Sequence, residues 1–184
     1  MKKVAYDLDG VVIDTYELIR KCLLENFNLD FKREEHTTYY FKVPKTSEHE
    51  VNVAIAQYLH DHWEESQPMP GSIWAIKKIA KITQMPPVFI TARSIDTYTT
   101  TNMWLRKHLD IPYFIHLTTF TPKEDIVKDL KVDYFVEDRY KEAISCAPVV
   151  EKMFLYNSPW NMNRDLTHDN IIRIDNLNDM ISYL

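Results

Sequence analysis

A chain of 184 residues, 45% hydrophobic and 12% aromatic, holds enough apolar material for one good core and a small accessory lobe. Its formal net charge of −5 argues against an extended nucleic-acid-binding surface, while leaving room for a small phosphate-bearing ligand in a local basic pocket. Cys22 and Cys146 stand alone without CxxC spacing, which excludes a disulfide framework or a zinc pattern and points to a reducing cytosol.

The N-terminus, "MKKVAYDLDG", has two lysines but no long apolar segment, so no targeting peptide is expected. No apolar run approaches the roughly 20 residues that cross a bilayer, and a cytoplasmic protein without a membrane partner is the simple expectation.

The first element is a strand over residues 3–8, "KVAYDL", which delivers Asp7 and Asp9 just before Gly10, one of only two glycines. About 70 residues then separate Asp14 from Pro86, more than one crossover helix requires. Val51, Ile55, Tyr58, Leu59 and His62 repeat at helical spacing inside this stretch, which predicts a mostly helical cap over residues 16–69. "SQPMPGSIW", with two prolines and Gly71, reads as the return linker, so the core comprises residues 1–15 and 70–184.

A helix follows over 72–83, where Ile73, Ile76, Ile79, Ala80 and Ile82 keep three- and four-residue spacing. The strand "PVFIT" (87–91) precedes a helix over 94–109 with Ser94 as its N-cap, and further strands are predicted at 113–118, 133–137, 152–157 and 171–174. Several of these runs are apolar without alternation, as strands buried on both faces of a parallel sheet must be. The fold class is α/β.

Asp7 and Asp9 admit bland readings. Asp9-Gly10 could turn a β-hairpin. A calcium loop counted from Asp7 fails, because Val11, Val12 and Leu18 stand where an oxygen ligand, a glycine and a glutamate belong. A bare pair of solvated carboxylates would simply repel. Against these stand three later strand ends or helix starts with polar residues suited to phosphate chemistry: Thr91, Lys123, and Glu137 with Asp138.

That ordered set resembles the haloacid dehalogenase-like phosphatases, with "DLDGVVIDT" as the first motif, Thr91 the second, Lys123 the third and "VEDR" the fourth. More narrowly, the size, the insertion after the first motif, "TAR" at the second, and "FLYNSPWN" followed by "IIRIDNLNDMISYL" are similar to the 5'(3')-deoxyribonucleotidase-type members. The resemblance implies a three-layer Rossmann-like parallel sheet of order 3-2-1-4-5 whose motifs meet at the carboxyl ends of the strands.

It further implies that Asp7 is the nucleophile, passing through an aspartyl-phosphate, and that Asp9 is the general acid and base. Thr91, with the amides of Ala92 and Arg93, would hold the phosphate, and Lys123 would neutralise it, with Lys128 as the rival lysine. Mg²⁺ is expected on the Asp7 carboxylate, the Asp9 backbone carbonyl and Asp138, with Glu137 reaching it through water.

Asp14 and Thr15 read as a helix cap, and the Arg93 side chain as a substrate contact or a solvated charge. His60 and His62 are too close on a helix to share a face, so they are structural or exposed. The aromatic residues of "HTTYYF" and "QYLHDHW" either pack the cap or stack on a base.

The expected activity is dephosphorylation of a small nucleotide, a deoxynucleoside monophosphate first. Another small phosphate ester or a nucleic-acid 3'-phosphate end is the alternative substrate. A non-enzymatic phosphate-sensing or interaction module is opposed by the position of Asp-x-Asp on the first strand. Oligomeric state is left open.

Overall fold

The computed structural model describes residues 1–119 and 121–184. β1 (Val4–Tyr6) leads through a tight loop to β2 (Ile13–Asp14), then α1 (Tyr16–Phe27), α2 (Glu48–Asp61) and β3 (Gln67–Pro68). From there the chain alternates: α3 (Ser72–Thr83), β4 (Val88–Thr91), α4 (Tyr98–His108), β5 (Phe114–Leu117), α5 (Glu124–Asp129), β6 (Tyr134–Glu137), α6 (Tyr140–Cys146), β7 (Lys152–Tyr156) and β8 (Ile171–Ile174). A 3-10 turn over Leu177–Tyr183 closes the chain.

Six strands form one sheet in the order β5-β4-β1-β6-β7-β8, and every neighbouring pair is parallel. This is the expected α/β Rossmann-like architecture, extended by β8 beyond the fifth strand. β1 lies at the centre, where strand order reverses, and such a point opens a crevice beyond the strand carboxyl ends.

Alternation along β1 explains the two cores. Val4 and Tyr6 face a cluster with Ile76 of α3, Trp104 of α4 and Met180, whereas Ala5 faces Val127 of α5 and Cys146 of α6. Helices therefore cover both faces, and burying a side chain such as Phe89 or Phe135 contributes roughly 1.5–3 kcal/mol.

The periodicity over 72–83 matches α3 from end to end. The helix expected over 94–109 begins instead with a 3-10 turn at Ile95–Thr97, where the Ser94 hydroxyl accepts the Asp96 amide at 3.5 Å. Asp14 Oδ1 accepts the Tyr16 amide at 3.1 Å, while Thr15, at the cap position itself, makes no side-chain cap bond.

In the stretch between β1 and α3, α1 and α2 pack together and two 3-10 turns follow them, at Arg33–Glu35 and Trp63–Glu65. Ser47 and Glu50 close a reciprocal capping box at the start of α2. Helix does not extend through residues 36–46, where consecutive threonines, three aromatic residues and Pro44 give no 3.6-residue period. Ile13 pairs antiparallel with Pro68 and Asp14 with Gln67, so the chain leaves and returns through a two-residue ribbon. No helix among the described residues is long and apolar enough to cross a membrane.

Candidate active site

The Asp7 amide donates to the Val136 carbonyl at 2.9 Å, so β6 carries the register of β1 up to the first carboxylate. Immediately afterwards the Leu8 carbonyl accepts the amides of Val11, Val12 and Ile13 at 3.3, 2.9 and 2.8 Å, which wraps the chain into a tight loop. This overturns the hairpin reading: the loop does not fold back on β1, and β2 pairs with β3 instead.

Gly10 has φ +81°, and a Cβ there would stand 2.4 Å from Asp138 Oδ2. Only glycine satisfies both the left-handed backbone and that approach.

Lys123, immediately before α5, is 2% exposed. Its Nζ donates to Asp7 Oδ1 and Glu137 Oε2, both at 2.6 Å. Lys128 lies exposed in the last turn of α5, so Lys123 is the lysine that meets the first motif.

Glu137 Oε1 accepts the amides of Asp138 at 3.2 Å and Arg139 at 3.0 Å, which places both oxygens of Glu137 in hydrogen bonds. Among the described residues neither side-chain oxygen of Asp138 accepts one. Asn161, fully buried, fixes the backbone there by donating to the Asp138 and Tyr156 carbonyls at 2.7 and 2.8 Å. The sequence reading missed this residue, although it closes the quoted "FLYNSPWN".

Asp7, Glu137 and Asp138 bring one carboxylate oxygen each within 4.8 Å of one another. Three buried carboxyl groups share one ammonium there, so their ionised forms disfavour one another. Burial, then Glu137, pushes the Asp7 carboxyl up to about 8 against the opposing pull of Lys123. Burial, then Glu137 and Asp7, raises Asp138 well above the ordinary carboxylate value, with Lys123 pulling the other way. Burial acts against the Lys123 ammonium, but Asp7 and Glu137 outweigh it and hold its pKa above the usual lysine value.

Thr91 is buried at the carboxyl end of β4, and its Oγ1 accepts the Arg93 amide at 3.4 Å. The Arg93 side chain is not a solvated charge. Its Nε and Nη2 donate to Asp9 Oδ2 and Oδ1 at 2.8 and 2.6 Å, and Nη1 donates to the buried Thr101 hydroxyl at 3.0 Å.

A cavity of about 180 Å³ lies over these residues. Its floor includes Asp7, Asp9, Thr91 and Lys123, and its walls include Tyr16, Ile55, Tyr39 and Trp160. Burial of the Tyr39 hydroxyl, followed by the Asp138 charge, raises its pKa, although 43% of the residue is exposed.

His36 stacks on Phe41 with ring centres 3.9 Å apart, and burial lowers its pKa to about 4. His62 meets Glu65 at 2.8 Å and stacks on Tyr58, which fits a structural role.

The family model described as 5' nucleotidase, deoxy (pyrimidine), cytosolic type C protein matches residues 1–182. A nucleotidase of Clostridium acetobutylicum is 27% identical over 180 residues, covering 96% of this chain and 90% of that protein. Among solved structures, CbbY from Rhodobacter sphaeroides in complex with phosphate superposes with a TM-score of 0.64 at 16% identity, covering 98% and 96% of the two chains. A haloacid dehalogenase-like family hydrolase from Streptococcus pneumoniae gives 0.66 at 13% identity, covering 100% and 98%.

Proposed function

The chain belongs to the 5' nucleotidase, deoxy (pyrimidine), cytosolic type C family, and from that premise we propose that it hydrolyses deoxynucleoside monophosphates through a phosphorylated Asp7. It is a phosphatase of haloacid dehalogenase-like fold. The observation that carries the mechanism is the convergence of Asp7, Lys123, Glu137 and Asp138 beside a glycine that leaves room for Asp138.

A carboxylate oxygen of Asp7 attacks phosphorus, and the bond from phosphorus to the alcohol oxygen breaks. Asp9, as the acid, gives its proton to that oxygen. Water then attacks the phosphoryl group, Asp9 takes the proton back, and the Asp7–phosphorus bond breaks to release inorganic phosphate. Lys123 neutralises the phosphoryl oxygens and orients Asp7, while Thr91 and the Ala92 and Arg93 amides donate to the same oxygens.

The donor set fits a hard divalent cation. It is all oxygen, its carboxyl groups ionise more readily beside a cation, and Asp138 has both side-chain oxygens free of hydrogen bonds among the described residues. Asp7, Asp138 and the Asp9 carbonyl would hold Mg²⁺, with Glu137 kept back by Lys123 and two amides. Such an ion supplies charge neutralisation at the phosphoryl group. The stretch over 16–69 acts as the cap that excludes water and selects the leaving group. The family's description as cytosolic supports a cytosolic location.

Phosphate release across deoxy- and ribonucleoside monophosphates and sugar phosphates, with and without Mg²⁺, tests this reading. Turnover of a deoxynucleotide that needs Mg²⁺ and disappears in Asp7→Asn is expected. No release from any ester, or undiminished release from Asp7→Asn, would reject it.

A further inference from the structure

We propose that a cavity beside the catalytic one is a subsite for a second phosphate, so that nucleosides phosphorylated at two positions are better substrates than monophosphates. The inference rests on the phosphatase reading above and extends it to the substrate class. The outer cavity measures about 550 Å³, and Tyr39, Phe41, Arg139 and Trp160 line both spaces. The two spaces are adjacent and share that wall, with the catalytic carboxylates on its inner side.

Size comes first. About 180 Å³ over Asp7 is less than the roughly 300–1,000 Å³ of sites that enclose a whole small molecule. A phosphate and part of a sugar fill the inner space, and the remainder of the ester must extend past the shared wall.

Charge then says what that remainder carries. Lys42, Arg139, Lys141 and Arg164 line the outer cavity against a single carboxylate, Glu48. Arg139 has a carboxylate neighbour in Glu142 at 3.7 Å, whereas Lys42, Lys141 and Arg164 are exposed and pair with no carboxylate among the described residues. Three cations drawn from three separate segments converge here on a chain whose net charge is −5.

Aromatic rings frame them. Arg139 lies over the Tyr39 ring at 4.5 Å and donates to the Tyr40 hydroxyl at 2.8 Å, so it is already oriented on the wall between the two spaces. Arginine forks and mobile lysine ammonium groups beside aromatic faces suit a phosphate joined to a nucleoside.

The second phosphate has two chemical sources: the other hydroxyl of the same sugar, or the next phosphodiester of a short oligonucleotide. Both keep the reaction unchanged. Water cleaves the ester at Asp7, one inorganic phosphate leaves, and the phosphate in the outer cavity stays on the product.

The test compares kcat/KM for thymidine 5'-monophosphate, thymidine 3',5'-bisphosphate and the 5'-phosphorylated dinucleotide pTpT. We expect one of the last two to exceed the monophosphate by about tenfold, and added salt to reduce that advantage. Lys141→Glu combined with Arg164→Glu, both outside the catalytic cavity, removes the advantage while monophosphate turnover stays within about twofold. Monophosphate turnover also reports that the variant is folded. Preference for the bisphosphate assigns the same-sugar source, and preference for pTpT assigns the chain source. Equal rates on all three, or an advantage that survives the double substitution, would overturn the inference and leave the phosphatase reading intact. Failure to release phosphate from any ester would reject both.

Discussion

Arg93 grips Asp9 with two parallel N–H donors, and Thr101 holds the third arm of the same guanidinium. The fork fixes a carboxylate whose proposed task, passing a proton to the leaving oxygen, tolerates little misplacement. Arg93→Gln should therefore lower kcat about 10- to 100-fold on a nucleoside monophosphate, whose alkoxide needs a proton. On 4-nitrophenyl phosphate, whose leaving group departs unprotonated, the loss should stay within about threefold. An arginine that bound phosphate directly would cost both substrates equally, and that result would remove the positioning role. Arg93→Lys should rescue little, because an ammonium cannot reproduce the fork. The places of Asp7, Thr91, Lys123 and Asp138 at strand ends or a helix start were legible from the hydrophobic runs, whereas their grouping as one candidate site came from the resemblance that their order carries. The Arg93–Asp9 pair was not legible, since 84 residues separate its members and no local pattern joins them. The cationic cluster of Lys42, Lys141 and Arg164 was hidden for the same reason.

The loop between β1 and β2 concentrates several demands in a few residues. The Leu8 carbonyl accepts three amides, Gly10 turns with positive φ, and the space above Gly10 belongs to Asp138. Gly10→Ala should lower kcat at least about 100-fold and destabilise the fold by about 1–2 kcal/mol, since the new methyl displaces Asp138 and strains the backbone. Gly71→Ala is the matching control. Gly71 has φ +73°, but its added Cβ meets only Asn178 Nδ2 at 3.3 Å, so stability falls while kcat holds. Equal kcat losses in the two variants, measured beside their urea midpoints, would remove the special role of the Gly10 turn. Elements with a strong period were readable: α3 from its isoleucines, the six sheet strands from their apolar runs. The β2–β3 ribbon was not, because two-residue strands carry no period. Residues 36–46 were read as helical context although their threonines, aromatic residues and proline oppose it.

The whole molecule carries an electrostatic debt at one point of an otherwise apolar core. Two hydrophobic clusters flank the sheet, yet Asp7, Glu137 and Asp138 lie buried beside the single ammonium of Lys123. A domain with a net stability of about 5–15 kcal/mol feels an unbalanced charge of this kind directly. Removing one carboxylate without removing a hydrogen bond should then stabilise the metal-free protein, and Asp138 is the residue whose side-chain oxygens accept none among the described residues. Metal-free Asp138→Asn is expected to melt a few degrees above metal-free wild type, a gain of about 1–2 kcal/mol. Mg²⁺ acts on the same imbalance by binding the folded state. At 100 times its dissociation constant it adds about 2.7 kcal/mol to wild type and much less to the variant, so the two melting temperatures should converge or cross as Mg²⁺ is added. Scanning calorimetry in EDTA and in a Mg²⁺ series reads both effects without reference to turnover. A metal-free variant that melts below wild type while keeping the full Mg²⁺ shift would mean that Asp138 serves packing and that the cation binds elsewhere.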